Sequence, residues 1–415
     1  VSIQDDRLDF STSAHMLADY LANPGHFPDP YPIFRGVRDV EPVHWSEAGV
    51  WLVLGHAEGR EAFRHSDLSR REFSEVHLAR FQSTDDDAVD AIEVWAANFL
   101  NMDDPEHAQV RSLVAQAFSP RTIRKWESTI VAGVEELTES LRDLDEFDLL
   151  HDYAYRLPSQ VTADMVGVPR EDHKLFEDWT VAWLSTNFSD PRAEFTNSPV
   201  KAITEFVAYL RALVNERRRN AETESDDLIT MLLHAEDQGV KLTEHQLLAA
   251  IMLLIIAGHE TTANLISNGY LSLLRNPEQL EKLRADPSLI STAVEECLRY
   301  ESPARSQPRI AVADVQIGGA TIKTGQPVQI HVGAASHDGR VFDRPDEMDI
   351  ERQPNNHLSF GTGPHVCLGL HVARQEARYA LNALVQEVGP LEIAGEIPWR
   401  NGQVRGVVKF PVRRV

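Results

Sequence analysis

Cysteine is almost missing from this chain: 415 residues contain two, Cys297 and Cys367. Two thiols cannot frame a disulfide-stapled fold, and nothing in the opening VSIQDDRLDF reads as a signal peptide, so the expected setting is a reducing cytoplasm. Long apolar runs are missing too. The longest, LLAAIMLLIIA over 247–257, has eleven residues, against the roughly 18 or more of a bilayer-spanning segment. Basic charge is scarce: 40 Lys and Arg stand against 64 Asp and Glu, a formal charge of −24. That balance argues against nucleic acid or an anionic membrane as a general partner. Internal repeats and Gly/Ser-rich linkers are also lacking, so the chain is expected to fold as one domain over 1–415.

What is present is an ordinary globular composition, 42% hydrophobic, on a chain long enough to bury a large core. Helical periodicity dominates from about 105 to 300, and short β-like runs bounded by Gly and Pro occur near 42–54, 310–332 and 403–413. This predicts a mainly α protein with small β-sheets. The polar stretches STDDDAVDAIE (83–93) and ERRRNAETESDD (216–227) read as solvated loops or helix ends. The best-defined helix has a capping box, Thr243 with Gln246, and is expected to end near Asn276–Pro277. At about 1.5 Å per residue it would be roughly 48 Å long, and its apolar middle predicts burial.

Three short stretches carry the chemistry. AGHETTAN (257–264) puts Gly258 and Glu260 inside that apolar helix, at a cost in helix stability and in charge burial. A kink with a solvated glutamate and an active-site opening flanked by Thr261 are equally good readings of this segment alone. A zinc-protease reading fails, because Ala263 occupies the position of the second histidine. In VEECLRYESP (294–303), Glu296 and Arg299 share a helix face, a weak signal by itself. Cys297 between them reads as an inert core thiol. The third stretch is HLSFGTGPHVCLGL (357–370). Val366 replaces the third glycine of a dinucleotide fingerprint, and no oxyanion arrangement accompanies Cys367 and His365 as a nucleophile and base. A thiolate ligand fits better. A helix expected from Leu368 would place Cys367 at a positive dipole end, and Gly361, Gly363 and Gly369 would let the backbone pass close to a flat group. One thiol without companions excludes an Fe–S cluster or a cysteine-built zinc site and suggests haem.

These three stretches resemble, in order and spacing, the signature motifs of the cytochrome P450 family: FGTGPHVCLG (360–369), EECLR (295–299) and AGHETT (257–262). DDPEHAQVRSLVAQAFSPR (103–121), PRIAVADVQIGG (308–319) and RVFDRPDEMDIER (340–352) are similar to further family segments, so the resemblance covers nearly the whole chain. It implies the cytochrome P450 fold, a triangular prism with a long central helix over the haem. It implies haem b as cofactor, with Cys367 as the proximal ligand, Phe360, Gly361 and Gly369 around it, and His107, Arg111, Arg309 and His365 for the propionates. Glu260 and Thr261 would be the acid and alcohol that deliver protons, and Ala257 and Gly258 would make room for dioxygen. Glu296, Arg299 and Arg352 would be a structural triad.

The expected activity is insertion of one oxygen atom from O2 into a small, largely apolar substrate. Electrons would come from a ferredoxin and ferredoxin reductase, docking on basic residues such as Arg121, Arg124, Lys125, Arg374 and Arg378. Candidate substrate-pocket residues are Leu253, Ile256, Ala304, Arg305 and Val404, with Trp179, Trp183, Phe188 and Gln403 nearby in the family pattern. For the tryptophans core packing competes. Arg305 is read either as meeting a substrate oxygen or as facing solvent or a propionate. A monomer is expected. A peroxide-driven peroxygenase and a non-catalytic haem-thiolate protein remain the alternatives, and the Glu260–Thr261 pair tilts against the former.

Overall fold

The capping box at Thr243 forms as its sequence dictates. Thr243 N–H donates to Gln246 Oε1 at 3.0 Å, and Gln246 N–H donates to Thr243 Oγ1 at 3.2 Å. From it runs the longest helix, Glu244–Arg275, closed by Asn276 and Pro277, which opens the next helix. A computed structural model of the chain describes residues 8–79, 81, 83–184, 199–219, 227–235, 237, 239–400 and 404–415. The central helix is long and apolar enough to cross a bilayer by composition, yet 78% of its most apolar window is buried inside the protein. Its apolarity is that of a core element. The eleven-residue apolar run at 247–257 lies inside this helix and is ended by Gly258 and the polar residues 259–262.

The chain divides into two compact units. The first comprises 1–69, 134–157 and 260–415 and holds all the named strands. Its main sheet has the order Val43–Trp45, Trp51–Val53, Pro327–His331, Ser306–Ala311 and Leu68–Ser69. All neighbours are antiparallel except Trp51–Val53 against Pro327–His331. Val53, Val328, Ile330 and Leu358 meet in the core under this sheet. Alternation along Ser306–Ala311 sends Arg309 and Ala311 to the face that Ser306 and Pro308 leave. A second core gathers Leu17, Tyr20, Phe34 and Leu52 around the helices Phe10–Ala22 and Tyr31–Arg38. In this unit the helix Ile290–Tyr300 packs against Leu370–Gln386.

The second unit, 70–133 and 158–259, is helical among its described residues. The acidic stretch 83–93 becomes the start of the helix Asp86–Ala96, because Asp85 caps it by accepting from Ala88 N–H at 2.9 Å. Trp179 stacks on Phe206, and Trp183 packs against Trp95 and Phe81, so both tryptophans sit in interhelical core. Phe188, Gln403 and residues 220–226 of the basic–acidic stretch lie outside the described residues.

Candidate active site

The cysteine loop is built on two glycines that no other residue replaces cheaply. Gly361 and Gly363 have φ of 66° and 76°, the left-handed region that disfavours a side chain. At Gly363 a β-carbon would also lie 2.8 Å from Arg64 Cγ. The loop closes on itself when Cys367 N–H donates to Phe360 O at 2.9 Å, a contact that places one backbone dipole near the sulfur-bearing residue. The helix expected at Leu368 begins instead at Leu370, with Gly369 as its N-cap at φ −82°, ψ 8°. Cys367 therefore precedes the helix by a short turn and does not sit on its first amide groups.

Three ties hold this loop and the helix that follows it to the helix Ile290–Tyr300. Ser359 Oγ donates to Leu298 O at 2.5 Å. Glu295 takes a bidentate pair from Arg374, at 2.6 and 2.8 Å, and a contact from His357 Nε2 at 3.2 Å. Burial alone would raise the Glu295 carboxyl, but His357 and Arg374 override it and hold it down at about 2. The Arg374 guanidinium then lies 4.6 Å from the Phe360 ring centroid. Its charge is shared with Glu295, whereas Arg121, Arg124 and Lys125 are exposed.

Glu296 and Arg299 pair at 2.8 Å, both side chains fully buried. Arg352, 53 residues beyond Arg299 in sequence, reaches both oxygens of Glu296 from Nε at 3.2 Å. Arg299 also donates to the carbonyls of Ser336, Pro345 and Glu347, and Arg352 to those of Asp343, Arg344 and Glu347. One carboxylate and two guanidiniums thus fasten the 343–352 segment that leads into the cysteine loop. Cys297 beside them is wholly buried and its thiol is pushed well up by burial, as an inert core thiol should be.

On the central helix, Gly258–Thr261 lie within the continuous helix Glu244–Arg275. Gly258 keeps one face of the helix low. A β-carbon at Gly258 would meet Thr162 Oγ1 at 3.3 Å. Ala257 is exposed, and Gly258 and Thr261 are half-buried, while Leu253 and Ile256 one turn before are buried. Glu260 is 5% exposed. Its Oε1 accepts from Arg400 Nη1, and Arg400 Nη2 in turn donates to the Tyr155 hydroxyl. Arg400 and Tyr155 were not among the sequence candidates. The signal for them is indirect: a buried glutamate requires a cation.

The remaining candidates fall as follows. His107 and Arg111 share the helix Glu106–Ala115 one turn apart. His107 is buried with Nδ1 3.0 Å from Asp104 Oδ1, and burial holds its pKa below the ordinary value against the pull of Asp104. Arg309 is 3% exposed and donates from Nη1 to Pro308 O at 2.7 Å, and His365 is half-buried. Ala304 and Val404 face each other across an antiparallel bridge. Arg305 does not face solvent. At 6% exposure its guanidinium lies 5.4 Å from the Tyr20 ring centroid and Nη2 points to Arg400 O at 3.3 Å.

A haem needs one axial donor, two apolar faces and cations for its carboxylates. Val366, Cys367, Leu368 and Leu370 form half-buried apolar surface around a single thiol. Gly369 is the sharper test. Its backbone angles suit any residue, and a β-carbon there meets nothing within 4 Å, so neither strain nor the chain's own crowding calls for glycine. A flat group lying against the backbone does. Among the described residues no three His, Cys, Asp or Glu gather as a metal cage. A metal at Cys367 must bring its other ligands with it, as a porphyrin iron does. The residues fit the group.

Comparison with known proteins agrees. The family model for Cytochrome P450 matches residues 75–389. The biotin biosynthesis cytochrome P450 of Bacillus subtilis is 37% identical over 388 residues, which are 92% of this chain and 95% of that protein. Vitamin D(3) 25-hydroxylase of Pseudonocardia autotrophica is 35% identical over 92% of this chain and 93% of its own length. Among solved structures, P450BioI in complex with a hexadec-9Z-enoic acid-ligated acyl carrier protein superposes with a TM-score of 0.83 at 35% identity, covering 96% of this chain and 99% of that one. CalO2 superposes with a TM-score of 0.86 at 30% identity over 93% and 96%. With motifs, fold and relatives in agreement, the chain belongs to the cytochrome P450 family of haem-thiolate monooxygenases.

Proposed function

We propose that this chain is a cytoplasmic, monomeric monooxygenase that binds haem b through Cys367 and inserts one atom of O2 into a small, largely apolar organic molecule. A thiolate-ligated haem supplies oxygen activation and transfer when bound. The chain's own residues do the rest. Phe360 and the Cys367 N–H to Phe360 O bond hold the sulfur in place. His107, Arg111, Arg309 and His365 offer charge and donors to the propionates. Leu253, Ile256, Ala304 and Val404 would supply apolar side chains to the substrate. Glu260 and Thr261 hold and move protons at the oxygen-binding face. Ferredoxin and its reductase supply electrons, with exposed Arg121, Arg124 and Lys125 as the docking charges. If they matter, reduction slows as ionic strength rises.

The observation that carries this reading is the adjacency of a buried carboxylate, Glu260, and a hydroxyl, Thr261, next to the small residues Ala257 and Gly258 on the central helix. A peroxide-driven enzyme needs no such pair. Thr261→Ala should separate oxygen consumption from product formation, with peroxide released in place of product. Wild-type coupling in that variant would remove Thr261 from proton delivery; a wild-type protein that forms product with hydrogen peroxide but none with O2 and a ferredoxin donor would overturn the monooxygenase reading in favour of the peroxide-driven one. The names of its relatives, spanning biotin biosynthesis, polyketide biosynthesis and vitamin D(3) hydroxylation, support an extended or polycyclic apolar substrate in secondary metabolism.

A further inference from the structure

The central helix carries a polar residue every fourth position in its second half: Glu260, Asn264, Asn268 and Ser272, all buried. Positions four apart lie on one face, so this is a buried polar stripe. In a helix core such a stripe is costly unless something polar lies against it. The residues opposite come from two arms, 398–400 and 404–408. Arg400 N–H donates to Gly406 O at 2.9 Å and Val408 N–H to Pro398 O at 2.8 Å, which pairs the two arms.

Three of the four rungs meet the return arms. Asn268 Nδ2 donates to Arg405 O at 2.9 Å. Asn264 lies so close to Gly406 that a β-carbon there would overlap its amide. Glu260 Oε1 accepts from Arg400. Asn264 Nδ2 also donates to Glu260 O at 2.8 Å, tying the middle rung to the first. The arms are indexed on the helix, and the index delivers one guanidinium to the acid. Tyr155 accepts from the other nitrogen of that guanidinium and fixes its plane. Arg405 itself is engaged with Glu301 and stacks 3.9 Å from the Trp399 ring centroid, so it does not compete for Glu260.

The two oxygens of Glu260 are therefore unequal. Oε1 is anchored by Arg400, while Oε2 is buried and has no hydrogen-bond partner among the described residues. A glutamate side chain has several rotatable bonds, and proton transfer needs one oxygen at a defined place within hydrogen-bond reach. We propose that Arg400 is a positioning residue for proton delivery: it anchors Glu260 through Oε1 and leaves Oε2 as the oxygen that takes and passes protons. The inference rests on the reading of Glu260 as the proton-delivering acid. Arg400 does not itself transfer the proton, since a guanidinium stays protonated.

The test uses purified holoenzyme with NADPH, a ferredoxin and its reductase in air-saturated buffer, and measures hydrogen peroxide released per O2 consumed. Two electrons and two protons take O2 to peroxide; four of each take it to two waters. Impaired proton delivery shifts the ratio toward peroxide. Arg400→Gln and Glu260→Gln should each raise the peroxide share several-fold. The double variant should equal Glu260→Gln alone, Arg400→Lys should largely restore the ratio, and Tyr155→Phe should raise it less. A readout independent of turnover is the unfolding cycle of the same variants. Non-additivity of about tenfold in the folding equilibrium constant is expected for a buried, touching pair. The reduced carbon monoxide spectrum should stay wild-type in all of them. If Glu260→Gln raises peroxide and both Arg400→Gln and Tyr155→Phe leave it unchanged, the inference is overturned while the assignment of Glu260 stands. If Glu260→Gln is itself without effect, both fall. Loss of holoenzyme in Arg400→Gln moves the decision to Tyr155→Phe and Arg400→Lys: a raised ratio in the first with restoration in the second supports it, and wild-type ratios in both overturn it.

Discussion

Replacing Glu296 by Gln changes one oxygen to an amide and almost nothing in volume, yet it should cost more than most single substitutions in this protein. In the folded chain Glu296 Oε1 accepts from Arg299 Nη2 at 2.8 Å and Asp349 N–H at 2.9 Å. Its Oε2 accepts from Arg299 Nε at 2.8 Å and Asn355 Nδ2 at 3.0 Å, and Arg352 Nε bridges both oxygens. Glutamine puts a donor among donors and removes the one carboxylate between two buried guanidiniums. Removing a partner from a buried ion pair costs about 3–5 kcal/mol, because the remaining charge keeps its desolvation penalty. Against a total stability of about 5–15 kcal/mol, that is a large share. With a urea slope of about 3 kcal/mol per molar, the midpoint should fall by about 1 M or more. Glu392→Gln is the control. Its carboxylate pairs with Arg413 at 2.6 Å with both side chains about half-exposed, and its loss should cost under about 1 kcal/mol. Urea unfolding followed by far-ultraviolet dichroism and by the haem band reads both. Equal midpoints for Glu296→Gln and Glu392→Gln would refute the reasoning that burial decides the worth of this pair.

Acid sensitivity should come partly from two carboxyls held at about 2. Burial would raise Glu295 and Asp338, but His357 and Arg374 hold the first down and Arg340 with His56 N–H the second. Both are depressed below their unfolded values, so their stabilisation is present above about pH 4.5 and lost as pH falls toward 2. Urea midpoints at pH 6, 4 and 3 should fall less steeply in Glu295→Gln/Asp338→Asn than in wild type, and an unchanged slope would count against these pairings. Glu376 runs the other way. Burial pushes it up to about 8, above its unfolded value, and its Oε2 is buried with no partner among the described residues. The unfolded chain gains by ionising above about pH 4.5, so Glu376→Gln should stabilise at pH 7, by about 3 kcal/mol as an upper bound, and be neutral near pH 4. A destabilised variant at pH 7 would show that the carboxylate is charged and paired.

Local chemistry was legible in the sequence, and long-range pairing was legible only through resemblance. The Thr243–Gln246 box and the helix end at Asn276–Pro277 follow from hydrogen bonds between near neighbours. The β-like runs near 42–54 and 310–332 became strands because Gly and Pro bound short apolar alternations. Nothing in the spacing of Glu296 and Arg299 announces Arg352, 53 residues on, or the carbonyls that saturate the guanidiniums. Glu260 and Arg400 are 140 residues apart. Their contact depends on the docking of the arms 398–400 and 404–408, although the four-residue polar period from Glu260 to Ser272 marks where something polar must dock. Gly258 does not end the helix: glycine weakens a helix in isolation, but burial of the flanking apolar turns holds this one together. Leu368 failed as a helix start because Gly369, not Cys367, takes the cap.

Ligation of iron by the Cys367 sulfur can be read directly from the reduced, carbon monoxide-bound holoenzyme. Thiolate coordination predicts a Soret band shifted strongly to long wavelength, present in wild type and lost in Cys367→Ser with the fold retained. A folded, haem-loaded wild-type protein giving the shorter-wavelength band of histidine ligation would contradict the account at its base.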